Sequence, residues 1–444
     1  MSRTELLQRL QSQEAVSSET CFVLLWTYLN MARVAAGESM ARVQRVHPFE
    51  IRLQRKPSLR NRLLDPVREI STHEGEAFDL YALQWLSALD DLLNKRQEDR
   101  LGQTWVAGID GMEYRVRRRN HFLADLFERQ VTTKEDQSGT RDLYARFHAA
   151  VPRSVEGIDI DVKAEVDWAG PSLGHRLRRE REKRRLNVML WPLETVLDYP
   201  ALHGEPKDFV SLDSLSNEDA LELEVRSALA TARSLEVSIL VFPELAIPTQ
   251  TREVIRRTLA GHGPDGYPLL TLFGCCHRRA PEGGDFNEAV LLGPAGAELC
   301  CHKKLTSFTH IVNRDRTLFV AEQLRTGTTV YVLESAFGNL TPLICLDFIH
   351  KPLSRVLTQI HSNLFLVPSL SHNTSAHQTA AMDLQVDNRA SSFVSNRSIG
   401  GLTQTGTSFF RVPCPDGFDA HLPHYRRSPF LLFSLRDLLD KTAK

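Results

Sequence analysis

The chain has 444 residues, of which 42% are hydrophobic and 25% charged, and its formal net charge is −1. This composition is typical of a soluble globular protein and excludes an overall electrostatic preference for nucleic acid or a membrane surface. The length favours two domains over a single core.

The cysteine pattern favours reduced thiols over a disulfide framework, because the chain has 7 cysteines, an odd number that includes adjacent pairs. They are Cys21, Cys275, Cys276, Cys300, Cys301, Cys345 and Cys414. We therefore expect a cytoplasmic protein. The start, MSRTELLQRLQSQ, lacks the apolar core of an export signal. The early apolar run CFVLLWTYL is shorter than the roughly 20 residues of a membrane-spanning helix, so we expect neither feature.

Residues 1–150 have an apolar pattern that predicts a mostly α-helical accessory domain of unknown role. Apolar side chains recur three and four positions apart in a stripe formed by Phe78, Tyr81, Trp85, Leu89, Leu92 and Leu93. We expect this stripe to face a core or an interface rather than a ligand.

Residues 151–184 predict a linker with a charged run. The apolar periodicity already fades near residue 131, where TTKEDQSGT has the composition of a loop. WAGPSLG and the charged run HRLRREREKRRL follow. Beyond them, residues 185–444 alternate short β-rich apolar runs with helical segments, which is typical of an α/β layered domain.

Two basic runs raise the question of nucleic-acid binding. They are RVRRR at 115–119 and RREREKRR at 178–185. The second run alternates bases with acids, and an interleaved aromatic platform is absent from both. A solvated face or a helical linker is therefore favoured over a nucleic-acid contact.

The domain at 185–444 begins with a predicted βαβ unit. RLNVMLWPL (185–193) and VSILVFPE (237–244) are the predicted strands, and NEDALELEVRSALATARSL (217–235) is the helix between them. A crossover helix makes the two strands parallel. Glu244 then lies at the carboxyl end of its strand.

Two neighbouring strands are predicted next, in LLTLFGCCHRR (269–279) and NEAVLLGPAGAELCCHKKL (287–305), the second broken by a turn at GPAG. Lys303 and Lys304 come just past a strand end. The two CCH triplets contain residue types that bind zinc. Because adjacent strand residues point to opposite faces and C-x-x-C spacing is absent, buried small side chains are favoured over a metal site.

A second βαβ unit is predicted from NLTPLICL (339–346), KPLSRVLTQIHS (351–362) and NLFLVPS (363–369). Its first strand ends at Cys345. A lone cysteine in an apolar strand is usually part of the core. However, reactive groups of open α/β sheets gather at the carboxyl ends of strands, where both Glu244 and Cys345 are expected.

Hydrolysis at a cysteine needs more than the thiol. With an ordinary pKa of about 8.5, a thiol attacks a carbonyl or nitrile carbon well only when a neighbour removes its proton or stabilises the thiolate. Glu244 is a candidate base. The developing oxyanion also needs donors, and the candidates are the ammonium of Lys304 and the backbone N–H of Leu346.

Five motifs in this order resemble those of the nitrilase, or carbon–nitrogen hydrolase, superfamily: VFPEL, HKKL, LICLD, NLFLVPS and VDNRASSFVSNR. The resemblance runs from about Leu186 to the C-terminus and leaves the helical half unmatched. It implies an α-β-β-α sandwich with a Glu-Lys-Cys triad. Glu244 matches the general base, Cys345 the nucleophile and Lys304 the lysine, since HKKL resembles the family's RKL form and so favours Lys304 over Lys303.

The same resemblance suggests further site residues. Glu322, in VAEQLRTG, best matches a second glutamate that positions substrate or water. Asn388, Arg389 and Asn396 match structural supports close to the site, and we expect Asp347 to be a further supporting residue. Relatives commonly have an acid and then an arginine after the cysteine, whereas this chain has Asp347 followed by FIHKPL. The substrate side of that loop therefore departs from the family pattern.

The implied activity is hydrolysis of a non-peptide C–N bond in an amide, nitrile or carbamoyl substrate through a thioester, without a metal or organic cofactor. Relatives form dimers or larger homo-oligomers, so we expect a homo-oligomer. Transfer of the acyl group to an amine would instead make an acyltransferase. A nitrilase-like regulatory or oligomerisation module with little turnover is another hypothesis, as is a protein or nucleic-acid partner bound through residues 1–184.

Overall fold

The structure, a computed structural model, describes residues 3–12, 18–36, 78, 82, 85, 86, 89, 93, 106–108, 112–117, 122, 123, 126, 149–193, 208–209, 217–279, 284–311, 319–322, 324–371, 373–397, 407–413, 426–427 and 430–442. The predicted loop at 132–140 and the residues Tyr81, Leu92 and Cys414 lie outside this part of the chain.

The helices are α1 (Arg3–Ser12), α2 (Ser18–Ala36), α3 (Glu165–Trp168), α4 (Gly170–Glu182), α5 (Glu218–Ser234), α6 (Thr249–His262), α7 (Leu346–Ile349), α8 (Lys351–Gln359), α9 (Ser375–Asn388) and α10 (Leu435–Thr442). The strands are β1 (Val106–Ala107), β2 (Glu113–Arg117), β3 (Ala149–Pro152), β4 (Ser154–Val155), β5 (Ile158–Lys163), β6 (Asn187–Leu190), β7 (Asp208–Phe209), β8 (Ile239–Val241), β9 (Leu270–Gly274), β10 (Arg278–Arg279), β11 (Asp285–Phe286), β12 (Glu288–Leu292), β13 (Glu298–Lys303), β14 (Thr309–Ile311), β15 (Phe319–Ala321), β16 (Thr329–Ser335), β17 (Gly338–Pro342), β18 (Leu364–Leu370), β19 (Ser391–Arg397), β20 (Phe409–Arg411), β21 (Arg426–Arg427) and β22 (Phe430–Ser434).

One compact unit comprises Met1–Arg119, Glu135–Glu156 and Gln359–His361. The described members of the predicted apolar stripe are helical and buried in its core, as the periodicity predicts; they are Phe78, Trp85, Leu89 and Leu93. The unit also contains an antiparallel sheet in the order β1-β2-β3. The described part of this unit therefore combines the expected helices with three short strands that the sequence did not predict.

The basic run at 115–119 overlaps this sheet. Strand β2 has the sequence EYRVR, in which Tyr114 and Val116 alternate toward the core. That two-residue period is the strand signal that the basic side chains concealed. Arg117 is only 6% exposed, so the run is not a wholly solvated face.

The second unit comprises Asn120–Lys134, Gly157–Thr358 and Ser362–Lys444 and contains two large sheets. We name them sheet I, with the order β13-β12-β9-β8-β6-β22-β21, and sheet II, which includes β20-β19-β18-β17-β16-β5. The predicted first βαβ unit is confirmed, because β6 and β8 pair in parallel. The predicted hairpin is confirmed by the antiparallel pairing of β12 and β13 around the GPAG turn.

Sheet II contains the second predicted βαβ unit, since β17 and β18 pair in parallel through the crossover that includes α8. Strand β18 then pairs in parallel with β19 over seven residues, from Leu364↔Ser391 to Leu370↔Arg397. These pairings align the carboxyl ends of β17, β18 and β19 at one edge, where the loops after the strands meet.

Alternating side chains give the unit its layers. In β6, Val188 and Leu190 share a hydrophobic core with Leu364 and Leu366 of β18, so the two sheets pack face to face. Met189, which points the other way, joins a separate core formed with α5 and α6. The unit is thus a mixed α/β sandwich with helices outside the sheets, as the fold prediction stated.

The stretch predicted as a linker, 151–184, forms secondary structure instead. Strand β5 pairs in parallel with β16, and α4 buries Leu173 and Leu177 while its charged face stays exposed. The sequence IDIDVK alternates apolar and acidic residues, and the acids hid its apolar face from a reading by composition. None of the described helices is long and apolar enough to cross a membrane.

Candidate active site

Glu244 lies just beyond the carboxyl end of β8 and is 2% exposed. Its main chain passes close to Gly274, the last residue of β9. A Cβ atom at Gly274 would lie 2.5 Å from Glu244 Cα and 2.8 Å from the carbonyl oxygen of Pro243. The glycine therefore permits the close approach that directs Glu244 out of its own sheet.

Cys345 occupies a tight turn between β17 and α7. The strand ends at Pro342, earlier than the sequence predicts, and Cys345 has φ 38° and ψ −97°, which side-chain-bearing residues rarely adopt. Its N–H donates to the Pro368 carbonyl at 2.9 Å, and its carbonyl accepts from Phe348 N–H at 3.0 Å. The turn removes the thiol from the strand and places it just before a helix N-terminus.

Lys304 bridges two buried carboxylates. Its Nζ atom donates to Glu244 Oε1 at 2.8 Å and to Glu322 Oε2 at 2.7 Å, and all three residues are at most 8% exposed. The structure thus brings Glu322 to the predicted pair. Lys303 instead lies over the ring of Phe286, 4.0 Å from its centroid, so Lys304 is the lysine that faces the carboxylates.

Three further groups orient the two carboxylates. Asn287 Nδ2 donates to Glu244 Oε1 at 2.9 Å and to Glu322 Oε1 at 3.1 Å. Glu322 also contacts His277 Nε2 at 3.2 Å and accepts from the Phe308 N–H at 3.0 Å. The sequence analysis did not predict Asn287 and considered His277 only as a zinc-type residue, because their contacts are with carboxylates at least 35 positions away.

Burial and charge give the two carboxyls different acidities. Burial raises the pKa of Glu244, Lys304 acts to lower it, and Glu322 raises it further. Burial also acts to raise the pKa of Glu322, but hydrogen bonds from His277 and Lys304 outweigh it and hold that pKa at about 2. Burial opposes the charge of Lys304, yet the two carboxylates raise its pKa above the ordinary value. Glu322 is therefore the stronger acid of the two, and the Glu244 carboxylate is the stronger base.

Cys345 and Glu244 meet at the main chain of Leu370. Glu244 Oε2 accepts from the Leu370 N–H at 3.2 Å, and the Cys345 Sγ atom lies 3.9 Å from the Leu370 carbonyl oxygen. Burial raises the pKa of Cys345 to about 12, and Glu244 adds to this effect while Lys304 opposes it. The resting sulfur is therefore a thiol. The backbone N–H of Leu346, the next residue, donates to none of the residues that the structure describes.

Asp347 links the residues that follow Lys304 to the turn at Cys345. It is fully buried and accepts from the N–H groups of Leu305 and Thr306 at 3.0 Å, with His302 Nε2 also 3.0 Å away. Since Leu305 follows Lys304 directly, Asp347 fixes the position of the lysine relative to Cys345. This acid is thus a structural link, a role consistent with its prediction as a supporting residue.

The other predicted supports lie at different places. Asn396 accepts from Ser371 N–H at 2.9 Å and donates to its carbonyl at 3.0 Å, which secures the loop just after Leu370. Asn388 donates to the Leu357 carbonyl at 3.0 Å and so ties α9 to α8. Arg389 is the left-handed C-cap residue of α9.

The histidines of the two CCH triplets contact carboxylates of this site. As described above, the imidazoles of His277 and His302 contact the carboxylates of Glu322 and Asp347. In the described part of the chain, His, Cys, Asp and Glu side chains form no group of three that could hold a metal ion. The second triplet lies within β13, whereas the first follows the end of β9.

Comparison with known proteins finds similarity only among solved structures, since no family model and no curated protein matches the chain. One such structure is a mutant amidase from Nesterenkonia sp. AN1 with acrylamide added at its active site cysteine; identity is 17%, coverage is 51% of this chain and 85% of that chain, and the TM-score is 0.35. Another mutant of that amidase, described as from the nitrilase superfamily, has 16% identity, coverage of 58% and 93%, and a TM-score of 0.38. Glutamine-dependent NAD+ synthetase from Acinetobacter baumannii has 16% identity, coverage of 51% and 40%, and a TM-score of 0.36.

Proposed function

We propose that the protein is a cysteine-dependent hydrolase of non-peptide C–N bonds, acting on an amide, nitrile or carbamoyl group. One observation carries the proposal: the Lys304 ammonium bridges two buried carboxylates beside a cysteine that a strained turn holds outside its strand. Burying three charges together costs desolvation free energy. Perturbed pKa values in such a buried cluster are typical of catalytic sites.

Glu244 is the proposed general base. A thiol with a pKa near 12 is not ionised at rest, so it needs a base that acts as it attacks. Glu244 and the sulfur both contact the Leu370 main chain, which sets them side by side. The raised pKa of Glu244 makes its carboxylate a stronger base than an ordinary carboxylate.

Lys304 and the Leu346 N–H are the proposed oxyanion donors. Attack of Cys345 Sγ on an amide carbon forms a C–S bond and moves an electron pair onto the oxygen. A cation and a backbone N–H fixed in advance stabilise that charge without reorganisation. Glu322 keeps Lys304 charged and in position through the 2.7 Å contact.

Release of the amine and of the acid completes the cycle. The protonated Glu244 gives its proton to the leaving nitrogen, which departs as ammonia or an amine and leaves a thioester on Cys345. Glu244, again a base, then takes a proton from water, which attacks the thioester and frees the carboxylic acid and the thiol. We further propose that the enzyme acts in the cytoplasm as a homo-oligomer and that the N-terminal unit governs assembly or access.

Intact-mass spectrometry combined with ammonia release tests this proposal. Acetamide, acetonitrile and an N-carbamoyl amino acid are incubated with wild type, Cys345→Ala and the control Cys301→Ala. Cys301 is a half-buried thiol, and burial raises its pKa to about 12. It therefore matches Cys345 in thiol pKa.

We expect an acyl adduct and product release with wild type and Cys301→Ala, and neither with Cys345→Ala. Folded wild type that forms no adduct and no product with any of these compounds would contradict the proposal and favour a binding module. An adduct that is released by an added amine much faster than by water would indicate an acyltransferase instead.

A further inference from the structure

A second chain of polar contacts reaches the sulfur from the side of α9. Ser369, fully buried in β18, has its Oγ atom 3.4 Å from Cys345 Sγ and 3.2 Å from His377 Nε2. His377 is fully buried as well and stacks on Phe348, with ring centroids 6.4 Å apart. The contacts run from the sulfur to a hydroxyl and on to an imidazole.

We propose that Ser369 donates its hydroxyl hydrogen to the Cys345 thiolate as it forms, and that His377 positions this hydroxyl by donating from Nε2 to Ser369 Oγ. Ser369 touches the reacting atom, whereas His377 acts through Ser369 and is a positioning residue. This inference rests on the proposed function, because it assigns two more residues to the same nucleophile.

The protonated nitrogen of the His377 ring decides where the single hydroxyl hydrogen of Ser369 points. Ser369 has one hydrogen and two neighbouring acceptors, the sulfur and the His377 ring. If His377 carries its proton on Nε2, that N–H occupies a lone pair of Ser369 Oγ and the hydroxyl hydrogen is left for the sulfur. If the proton is on Nδ1, the hydroxyl turns to the ring and the thiolate loses its donor.

Burial supports the first arrangement. His377 Nδ1 is buried and has no hydrogen-bond partner among the described residues. A proton there would be an unpaired buried donor, which is costly. Burial lowers the pKa of His377 to about 4, with the Cys345 carbonyl acting in the opposite direction, so the ring is neutral and carries one proton.

A further donor favours the thiolate because the two charged neighbours of the sulfur act in opposite directions. Glu244 disfavours the thiolate and Lys304 favours it, while burial disfavours it strongly. A hydrogen bond to a charged group stabilises it more than one to a neutral group. The Ser369 hydroxyl therefore favours the thiolate over the thiol at the moment when Glu244 takes the proton.

The test measures the rate of Cys345 alkylation by iodoacetamide from neutral to alkaline pH, followed by peptide mass, in wild type, Ser369→Ala, His377→Phe and His377→Gln. We expect Ser369→Ala and His377→Phe to slow alkylation at neutral pH by about 10- to 100-fold and to raise the apparent thiol pKa. His377→Gln, which keeps an N–H donor near the Nε2 position, should stay within about threefold of wild type.

A purely structural role for these residues would lower thermal stability without moving the apparent thiol pKa, and an unchanged pH profile in folded Ser369→Ala would overturn the proposal. So would equal effects of His377→Gln and His377→Phe, or a wild-type Cys345 that iodoacetamide does not reach at any pH. The proposed function can fail separately. A shift of the Cys345 pKa in the variants without hydrolysis of any amide by wild type supports the roles of Ser369 and His377 alone. Hydrolysis with no shift of that pKa supports the Glu-Lys-Cys triad alone.

Discussion

Replacing Lys304 by methionine isolates the electrostatic cluster, because methionine preserves most of the volume and removes the charge. In the native protein Lys304 Nζ lies 2.8 Å from Glu244 Oε1 and 2.7 Å from Glu322 Oε2. Without it, two buried carboxylates share Asn287 as their common donor. Removing one partner of a buried charge pair destabilises a protein by about 3–5 kcal/mol, and we expect a loss of this size at neutral pH.

The loss should depend on pH in a defined direction. In Lys304→Met one carboxyl, most readily Glu244, will bind a proton in the folded state, with a pKa above its unfolded value. The folded variant then holds more protons than the unfolded chain near neutral pH, so its stability rises as pH falls toward the unfolded pKa. Each pH unit recovers at most about 1.4 kcal/mol relative to wild type.

Urea unfolding at pH values above and below 6 measures both effects, with Lys303→Met as the matched control. Lys303 is the adjacent lysine and lies over the Phe286 ring, so its loss removes a cation–π contact of about 0.5–1 kcal/mol without a pH trend. A loss below about 1 kcal/mol for Lys304→Met, or one that is the same at both pH values, would refute the reasoning.

Three other changes have expected outcomes. Gly274→Ala should lower turnover about 100-fold by displacing Glu244. Gly261→Ala, with open space around its Cβ, should leave turnover unchanged, and the rate of amide hydrolysis is measured for both variants. Asp347→Asn should reduce the free energy of unfolding by about 2–5 kcal/mol, because an amide nitrogen in place of Oδ2 cannot accept from the Leu305 N–H and the buried charge is lost; urea unfolding that shows no loss would contradict this. The low pKa of Glu322 stabilises the fold above pH 4.5, and this contribution should be lost as pH falls toward about 2; Glu322→Gln should lack that part of the acid transition in circular dichroism.

The two βαβ units show which features of the fold local sequence patterns predict. Their apolar runs, helical segment and Gly or Pro punctuation predict parallel strands, and the observed pairings of β6 with β8 and of β17 with β18 agree. The same patterns place Glu244 and Cys345 near strand ends. These inferences succeed because strand alternation, helix periodicity and crossover handedness are properties of segments of a few tens of residues.

Strand β5 and the orienting residues mark the limit of such inference. Strand β5 is predicted as linker, although its parallel partner β16 lies some 170 positions further along the chain. Asn287 has no local signal for contact with carboxylates, and His277 and His302 are noticed only as zinc-type residues. Their partners are assembled by packing of distant strands, which no short window of residues contains.

The order of residue types along the chain was enough to predict the strands of two βαβ units and the helices that connect them, and its resemblance to a known family pointed to Glu244, Lys304 and Cys345. Folding in three dimensions added the strained turn at Cys345 and the hydrogen-bond network that lowers the pKa of Glu322 while the pKa of Glu244 is raised. Those properties depend on burial and on distances below 4 Å between residues far apart in the chain, and both arise only when the two sheets pack.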